Sequence, residues 1–350
     1  MSKQLQNIGE QLLPVVAYGD AVGLPCEAKN AEQIKQRYGQ IDQMHPTTDN
    51  ELFAGLHGVG TWSDDTQLSA AVAEGLIEMD GFDINEQARQ HIKAYRESEP
   101  STFKSWWPRG WGGSTTFSVR RLIEGVSPYD SGESGADGKG AGNGVLMKMS
   151  PLVYWDYVRQ ADPKQSIQQV RDLTVMTHAA PEAIVSSQVH RAMLMQLLGV
   201  QVYEIQENPS LLNAFYRDAV FIARAFEVSE DQQYKTSHVL DQLSEKLVDG
   251  HPTGLHTDHI LEAAPKSGFY APETLLMAYG SFLIESHFPD SVYRAVELGG
   301  DTDSIASIVG TMSLFLYGNT DRPHDYNKLF DIDRLESVSK ELADTALRIN

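Results

Sequence analysis

The spacing of apolar residues constrains this chain more than any other feature: wherever it is periodic, the period is helical. From Asp65, the residues Leu68, Val72, Leu76 and Met79 fall on one stripe, and after Pro181 so do Val185, Val189, Ala192 and Met193. Pro272 opens a segment carrying Leu275, Leu276, Tyr279, Phe282 and Leu283. Asp303 opens another with Ile305, Ile308, Val309 and Met312, which Gly318 is placed to stop. Returns every three or four residues put side chains on one helix face, and proline at a start with glycine past an end marks the boundaries. There is no set of short alternating runs joined by hairpin turns, and no strand–helix–strand rhythm. An all-α fold of many helices is expected.

The chain has 350 residues, enough to bury a large core without covalent staples, and its single cysteine, Cys26, allows no internal disulfide. At 41% hydrophobic and 22% charged it has ordinary globular usage, which excludes collagen, coiled coil and a disordered chain. Its 28 Lys+Arg against 48 Asp+Glu leave a net charge of −20. That balance argues against a general nucleic-acid binder or a ligand of anionic membranes, both of which need basic surface. No run approaches the ~18 apolar residues of a membrane span. The start, MSKQLQNIGEQLLPVVAYGD, lacks the basic-then-apolar pattern of a signal peptide. A reduced, cytoplasmic protein is expected.

Two stretches interrupt the helical pattern. Residues 100–113 carry Trp106, Trp107 and Trp111 among Pro and Gly, and residues 127–144 hold six glycines between Gly132 and Gly144. Helical spacing resumes after each, with no charge run or repeat, so residues 1–350 are expected to form a single domain. Glycine-rich loops inside such a domain are surface insertions or ligand-binding loops.

Several constellations carry possible chemistry. Ser63-Asp64-Asp65-Thr66 and Asp301-Thr302-Asp303-Ser304 each stand at a helix start, the second after Gly299-Gly300. Capping alone explains one such side chain per helix. It does not explain two carboxylates and a hydroxyl within four residues, twice. If the two starts face each other, the cluster needs cations, and its all-oxygen character points to Mg²⁺ or Mn²⁺ rather than zinc. Gly19-Asp20-Ala21-Val22-Gly23 reads either as a turn between helices with Asp20 as a cap, or as a loop that frees Glu27 to act as a base. Gly140-Ala141-Gly142-Asn143-Gly144 can aim backbone N–H groups at a pyrophosphate, helped by the N-terminus of the next helix. It matches neither the P-loop nor the dinucleotide fingerprint. His178 precedes a helix and is a candidate ligand contact. His256-Thr257-Asp258-His259 is read as solvated surface, Cys26 as inert, and the tryptophans as packing, with one of them free to line a pocket mouth.

In order, GDAVGLPCE (19–27), SDDT (63–66), GNGVLMKMSP (142–151), His178 with Pro181, SGFY (267–270) and GGDTDSIASIVG (299–310) resemble the ADP-ribosylglycohydrolase family, which includes the dinitrogenase reductase-activating glycohydrolases. The resemblance runs from about residue 10 to Gly318. It implies a many-helix fold with a dinuclear metal cleft, two divalent cations (Mg²⁺ or Mn²⁺) and an ADP-ribosylated protein or ADP-ribose conjugate as partner. The implied metal ligands are Ser63, Asp64, Asp65, Asp301, Asp303 and Ser304, where both serines replace a usual Thr and keep its hydroxyl. The implied acid/base is Glu27 ahead of Asp64. The loop Gly140, Ala141, Gly142, Asn143 and Gly144 is implied to hold phosphate, His178 to line the nucleotide cleft and Phe269 to lie near adenine. Lys148 stands at a position that is often Arg. The implied reaction is hydrolysis of the bond from C1″ of the distal ribose to a side chain, arginine favoured. The matching acceptor region, Lys104 to Arg121, holds no Asp or Glu. That keeps an O-linked (serine-type) or small-molecule conjugate open, as well as a non-catalytic ADP-ribose-binding or toxin-neutralising role.

Overall fold

Sixteen α-helices and no β-sheet make up the regular structure in the computed structural model, which describes residues 2–53, 58–98, 108–133, 140–230, 235–247 and 255–348. The first half contains α1 (Ser2–Gly23), α2 (Ala31–Tyr38), α3 (Asp64–Met79), α4 (Ile84–Ser98), α5 (Gly113–Ile123) and α6 (Ser150–Val158). The middle contains α7 (Pro163–Val175), α8 (Pro181–Gly199), α9 (Val202–Glu207), α10 (Ser210–Ser229) and α11 (Lys235–Ser244). The last part contains α12 (Thr257–Ala263), α13 (Ala271–Ile284), α14 (Asp290–Glu297), α15 (Thr302–Tyr317) and α16 (Ile332–Ala346). The all-α expectation is met, and the four segments chosen by spacing are α3, α8, α13 and α15. Gly318 ends α15 in the left-handed conformation, its N–H donating to Leu314 O.

The centre of the molecule is α15. Every residue from Thr302 to Leu316 is buried, so the stripe seen in sequence is one side of a helix that is apolar or internally satisfied all round. Its hydroxyls bond inward: Ser307 Oγ donates to Val16 O, Thr311 Oγ1 to Ser307 O and Ser313 Oγ to Val309 O. Packed around it are α1, α13 and α14, while α3 lies on α1 and α16.

The glycines of Gly19-Asp20-Ala21-Val22-Gly23 explain how α1 reaches the start of α15. A Cβ on Gly19 would stand 2.6 Å from the Ala306 backbone, and one on Gly23 would stand 2.4 Å from that of Asp303. The motif is therefore not a turn. It is the last turn of α1, kept free of side chains so that two backbones can touch; Leu24–Cys26 then form a single 3₁₀ turn, and the chain opens at Glu27.

Candidate active site

The start of α3 is held by a residue from another helix. Asp20, fully buried on α1, accepts from Ser63 N at 2.8 Å, Thr66 N at 3.0 Å and Thr66 Oγ1 at 2.6 Å. It satisfies backbone donors that a helix N-terminus leaves open. Ser63 is the N-cap; its Oγ accepts from Asp65 N at 3.3 Å and donates to Asp65 Oδ2 at 3.2 Å. Asp64 and Asp65, in the first turn, are left for other work.

The start of α15 is tied to two loops through its glycine pair. Gly300 N donates to Lys29 O at 2.7 Å and Ala28 N donates to Gly300 O at 2.8 Å, which holds the Glu27 loop beside Asp301. Asp301 N donates to Ser267 O at 2.9 Å. Only glycine fits at 300: its φ is +82°, and a Cβ there would stand 2.0 Å from Ser267 O. Asp301 makes no capping bond; its Oδ2 accepts from Asn143 Nδ2 at 2.7 Å, which draws in the glycine loop.

These ties place Glu27, Asp64, Asp65, Asp301, Asp303 and Ser304 on one cavity of about 570 Å³, with Gly142, Asn143, Gly144, His178 and Phe269 lining it too. Glu27, Asp301 and Asp303 each bring a carboxylate oxygen within 4.8 Å of the others. Burial and mutual repulsion push Glu27, Asp64, Asp65 and Asp303 well above the usual carboxylate range. Burial raises Asp301 to about 6, against the opposing hydrogen bond from Asn143, and raises Asp20 to about 7 with Asp303 adding to it. Glu27 Oε2 and Asp65 Oδ1 are buried with no hydrogen-bond partner. Carboxylates so placed need protons or cations. A donor set of carboxylate oxygens, with the one sulfur of the described cavity wall, Met147 Sδ, turned to Ser304 Oγ at 3.8 Å, fits Mg²⁺ or Mn²⁺.

Some expected residues stand apart. Ser63 turns its hydroxyl toward its own helix and is not in the cavity wall. Nor are Gly140 and Ala141 in that wall; Ala141 O instead accepts from Ala271 N at 3.0 Å. The helix start expected directly after Gly144 is absent, because Val145–Lys148 form a turn and α6 begins only at Ser150; the first turn of α5, Gly113–Thr115, lines the cavity instead. Trp111 is buried, donates from Nε1 to Gln67 Oε1 at 2.9 Å and also lines the cavity, while Trp106 and Trp107 lie outside the described residues. Three participants were not singled out for their roles from sequence: Asp20 as a cap in trans, the exposed Glu51 on the cavity wall, and Lys148, fully buried behind His178. Only the odd chemistry of Lys148 in an apolar run offered a signal.

The chain belongs to the ADP-ribosylglycohydrolase family, whose model matches residues 13–348. It is 23% identical over 333 residues to the ADP-ribosylarginine hydrolase Tri1 of Serratia proteamaculans, covering 93% of this chain and 76% of that one. It is 24% identical over 340 residues to the ADP-ribosylhydrolase ARH3 of Bos taurus, covering 89% and 85%. A solved structure titled "ADP-ribosylglycohydrolase-related protein complex" shares the fold, with a TM-score of 0.68 at 22% identity over 98% of this chain and 99% of that one. The protein is an ADP-ribosyl glycohydrolase enzyme. No helix among the described residues is long and apolar enough to cross a membrane.

Proposed function

We propose that residues 1–350 act as a single cytoplasmic domain that hydrolyses the bond between C1″ of the distal ribose and an arginine side chain, reversing mono-ADP-ribosylation. The observation that carries this reading is the convergence of Glu27, Asp301 and Asp303 oxygens within 4.8 Å on a cavity that also holds the glycine loop. Asp64, Asp65, Asp301, Asp303 and Ser304, with Ser63 behind Asp65, would hold two divalent cations, Mg²⁺ or Mn²⁺. When bound, these supply Lewis-acid polarisation of ribose hydroxyls and water.

The chain's own residues do the rest. Gly142–Gly144 and His178 receive the pyrophosphate, and Phe269, 43% exposed at the rim, offers a face to adenine. The buried carboxylates stabilise positive charge as it develops on C1″. Glu27 takes a proton from the attacking water as the C1″–O bond forms, and delivers it to the departing guanidine nitrogen as the C1″–N bond breaks. Asp64 is the second candidate for that proton.

The acceptor is the finer question. Residues 104–121 supply no acid, which favours a second reading with a serine-type O-linked or small-molecule conjugate. Against it, Glu51 brings a carboxylate to the cavity wall from outside that region, and the Tri1 relative is named for arginine. Initial rates on an arginine-ADP-ribosylated protein and a serine-ADP-ribosylated peptide, side by side, test the choice. Preference for the arginine conjugate is expected; turnover of the serine peptide alone would replace this reading with the second.

A further inference from the structure

Behind the glycine loop, Lys148, Thr177 and His178 form a buried chain, of which the reading above gives a role to His178 alone. Lys148 Nζ donates to Thr177 Oγ1 at 3.0 Å, and Thr177 Oγ1 lies 2.9 Å from His178 Nδ1. Burial pulls Lys148 down to about 7, and below that pH the group is an ammonium with three donors and no acceptor, which fixes the direction of the first bond. The hydroxyl's one proton points away from that positive charge. Among the described residues the remaining side-chain partner of Thr177 Oγ1 is His178 Nδ1, so the proton is donated there. In the reverse arrangement the hydroxyl would accept from both neighbours and its own proton would be buried without an acceptor, which is costly.

A neutral imidazole that accepts at Nδ1 carries its proton on Nε2. Burial first, and the Lys148 charge second, push His178 down to about 3, so the ring stays neutral and offers a single N–H. That edge faces the loop: a Cβ at Gly144 would stand 3.1 Å from Nε2, and one at Gly142 would stand 3.6 Å away.

We propose that Lys148 and Thr177 are positioning residues that hold His178 as an Nε2–H donor toward an anionic oxygen of the ligand on Gly142–Gly144. The inference rests on the ADP-ribose reading of the cleft, which makes that oxygen part of the pyrophosphate. It gives the loop a directed side-chain donor beside its backbone N–H groups.

Two measurements test it. In ligand-free wild-type protein with ¹⁵N-labelled histidine, ¹H–¹⁵N correlations report the His178 tautomer, assigned by the signal lost in His178→Gln. Protonation at Nε2 is expected, and protonation at Nδ1 would overturn the proposal. Calorimetric affinities for ADP-ribose and for adenosine, which lacks the diphosphate, are then compared across variants. Thr177→Val and Lys148→Met are each expected to weaken ADP-ribose about tenfold and leave adenosine within twofold, with Thr177→Ser restoring the wild-type value. Undiminished ADP-ribose affinity in folded Thr177→Val would overturn it, and if that variant does not fold the wild-type tautomer decides. Wild-type protein that binds no ADP-ribose would remove the ligand assignment, while the tautomer would still decide how His178 is held.

Discussion

At the scale of single residues, the question is why so many buried acids lack cationic partners. Ser63 caps α3 with help from Asp20, Asp301 turns instead to Asn143, and Asp303 spends only Oδ1 on Ser304 N, so most of the acid oxygens stay open to the cavity. Glu27→Gln preserves shape and removes the proton carrier, so turnover is expected to fall at least ~100-fold with ADP-ribose affinity little changed. Single-turnover rates beside calorimetry check this, and a variant with wild-type turnover would move the role elsewhere. In the proposed reading Glu51 serves the acceptor rather than the chemistry. Glu51→Gln is expected to raise KM for an arginine conjugate several-fold with kcat nearly constant, and to leave a serine conjugate unaffected. A loss in kcat instead would place Glu51 among the reacting groups.

At the scale of elements, the site is a product of backbone contact between α1, α3 and α15. Gly23→Ala would set a Cβ 2.4 Å from the Asp303 backbone. Overpacking of this kind costs about 1–3 kcal/mol, and here it also shifts a site carboxylate. Urea unfolding and turnover measured on the same preparation are expected to fall together; an unchanged midpoint would mean the helices part without cost. This level is also where sequence reading succeeds and stops. Helical period, the proline starts, the Gly318 stop and the doubled acid-rich helix starts are local, and local spacing carries them. That Asp20 caps α3 is not local: its partner Ser63 lies 43 residues away. Asn143 reaches Asp301 across 158 residues. Glycines at 19 and 23 suggest a turn when read alone, because nothing in their neighbours announces the backbone they meet. The helix N-terminus expected after Gly144 failed for the converse reason: apolar Val145-Leu146-Met147 continue a helical pattern that the chain spends on a turn.

At the scale of the whole molecule, stability should depend on cations and on pH. An ion that binds only the folded state adds about 2.7 kcal/mol at 100 times its Kd, so Mn²⁺ or Mg²⁺ is expected to raise Tm by roughly 4 °C over EDTA. Asp301→Ala should abolish that shift, and a shift that survives would place the cations elsewhere. The pH dependence includes buried neutral histidines remote from the carboxylates. Burial pushes His190 down to about 3 from its ordinary 6.5. The unfolded chain therefore binds the extra proton in that window, and stability falls as pH drops from about 6.5 toward about 3, by on the order of 1 kcal/mol per unit. His190→Gln should flatten the Tm–pH curve between about pH 6 and pH 4; a curve parallel to wild type would contradict the assignment.

The central claim joins these scales: an acid basin built by three helices cleaves an ADP-ribosyl bond with the help of divalent cations. Release of ADP-ribose from an arginine-ADP-ribosylated protein, followed with Mg²⁺, Mn²⁺ or EDTA, tests it most directly. The account predicts release with either ion and none in EDTA. Release that EDTA leaves untouched, or tight ADP-ribose binding without any release, would contradict it.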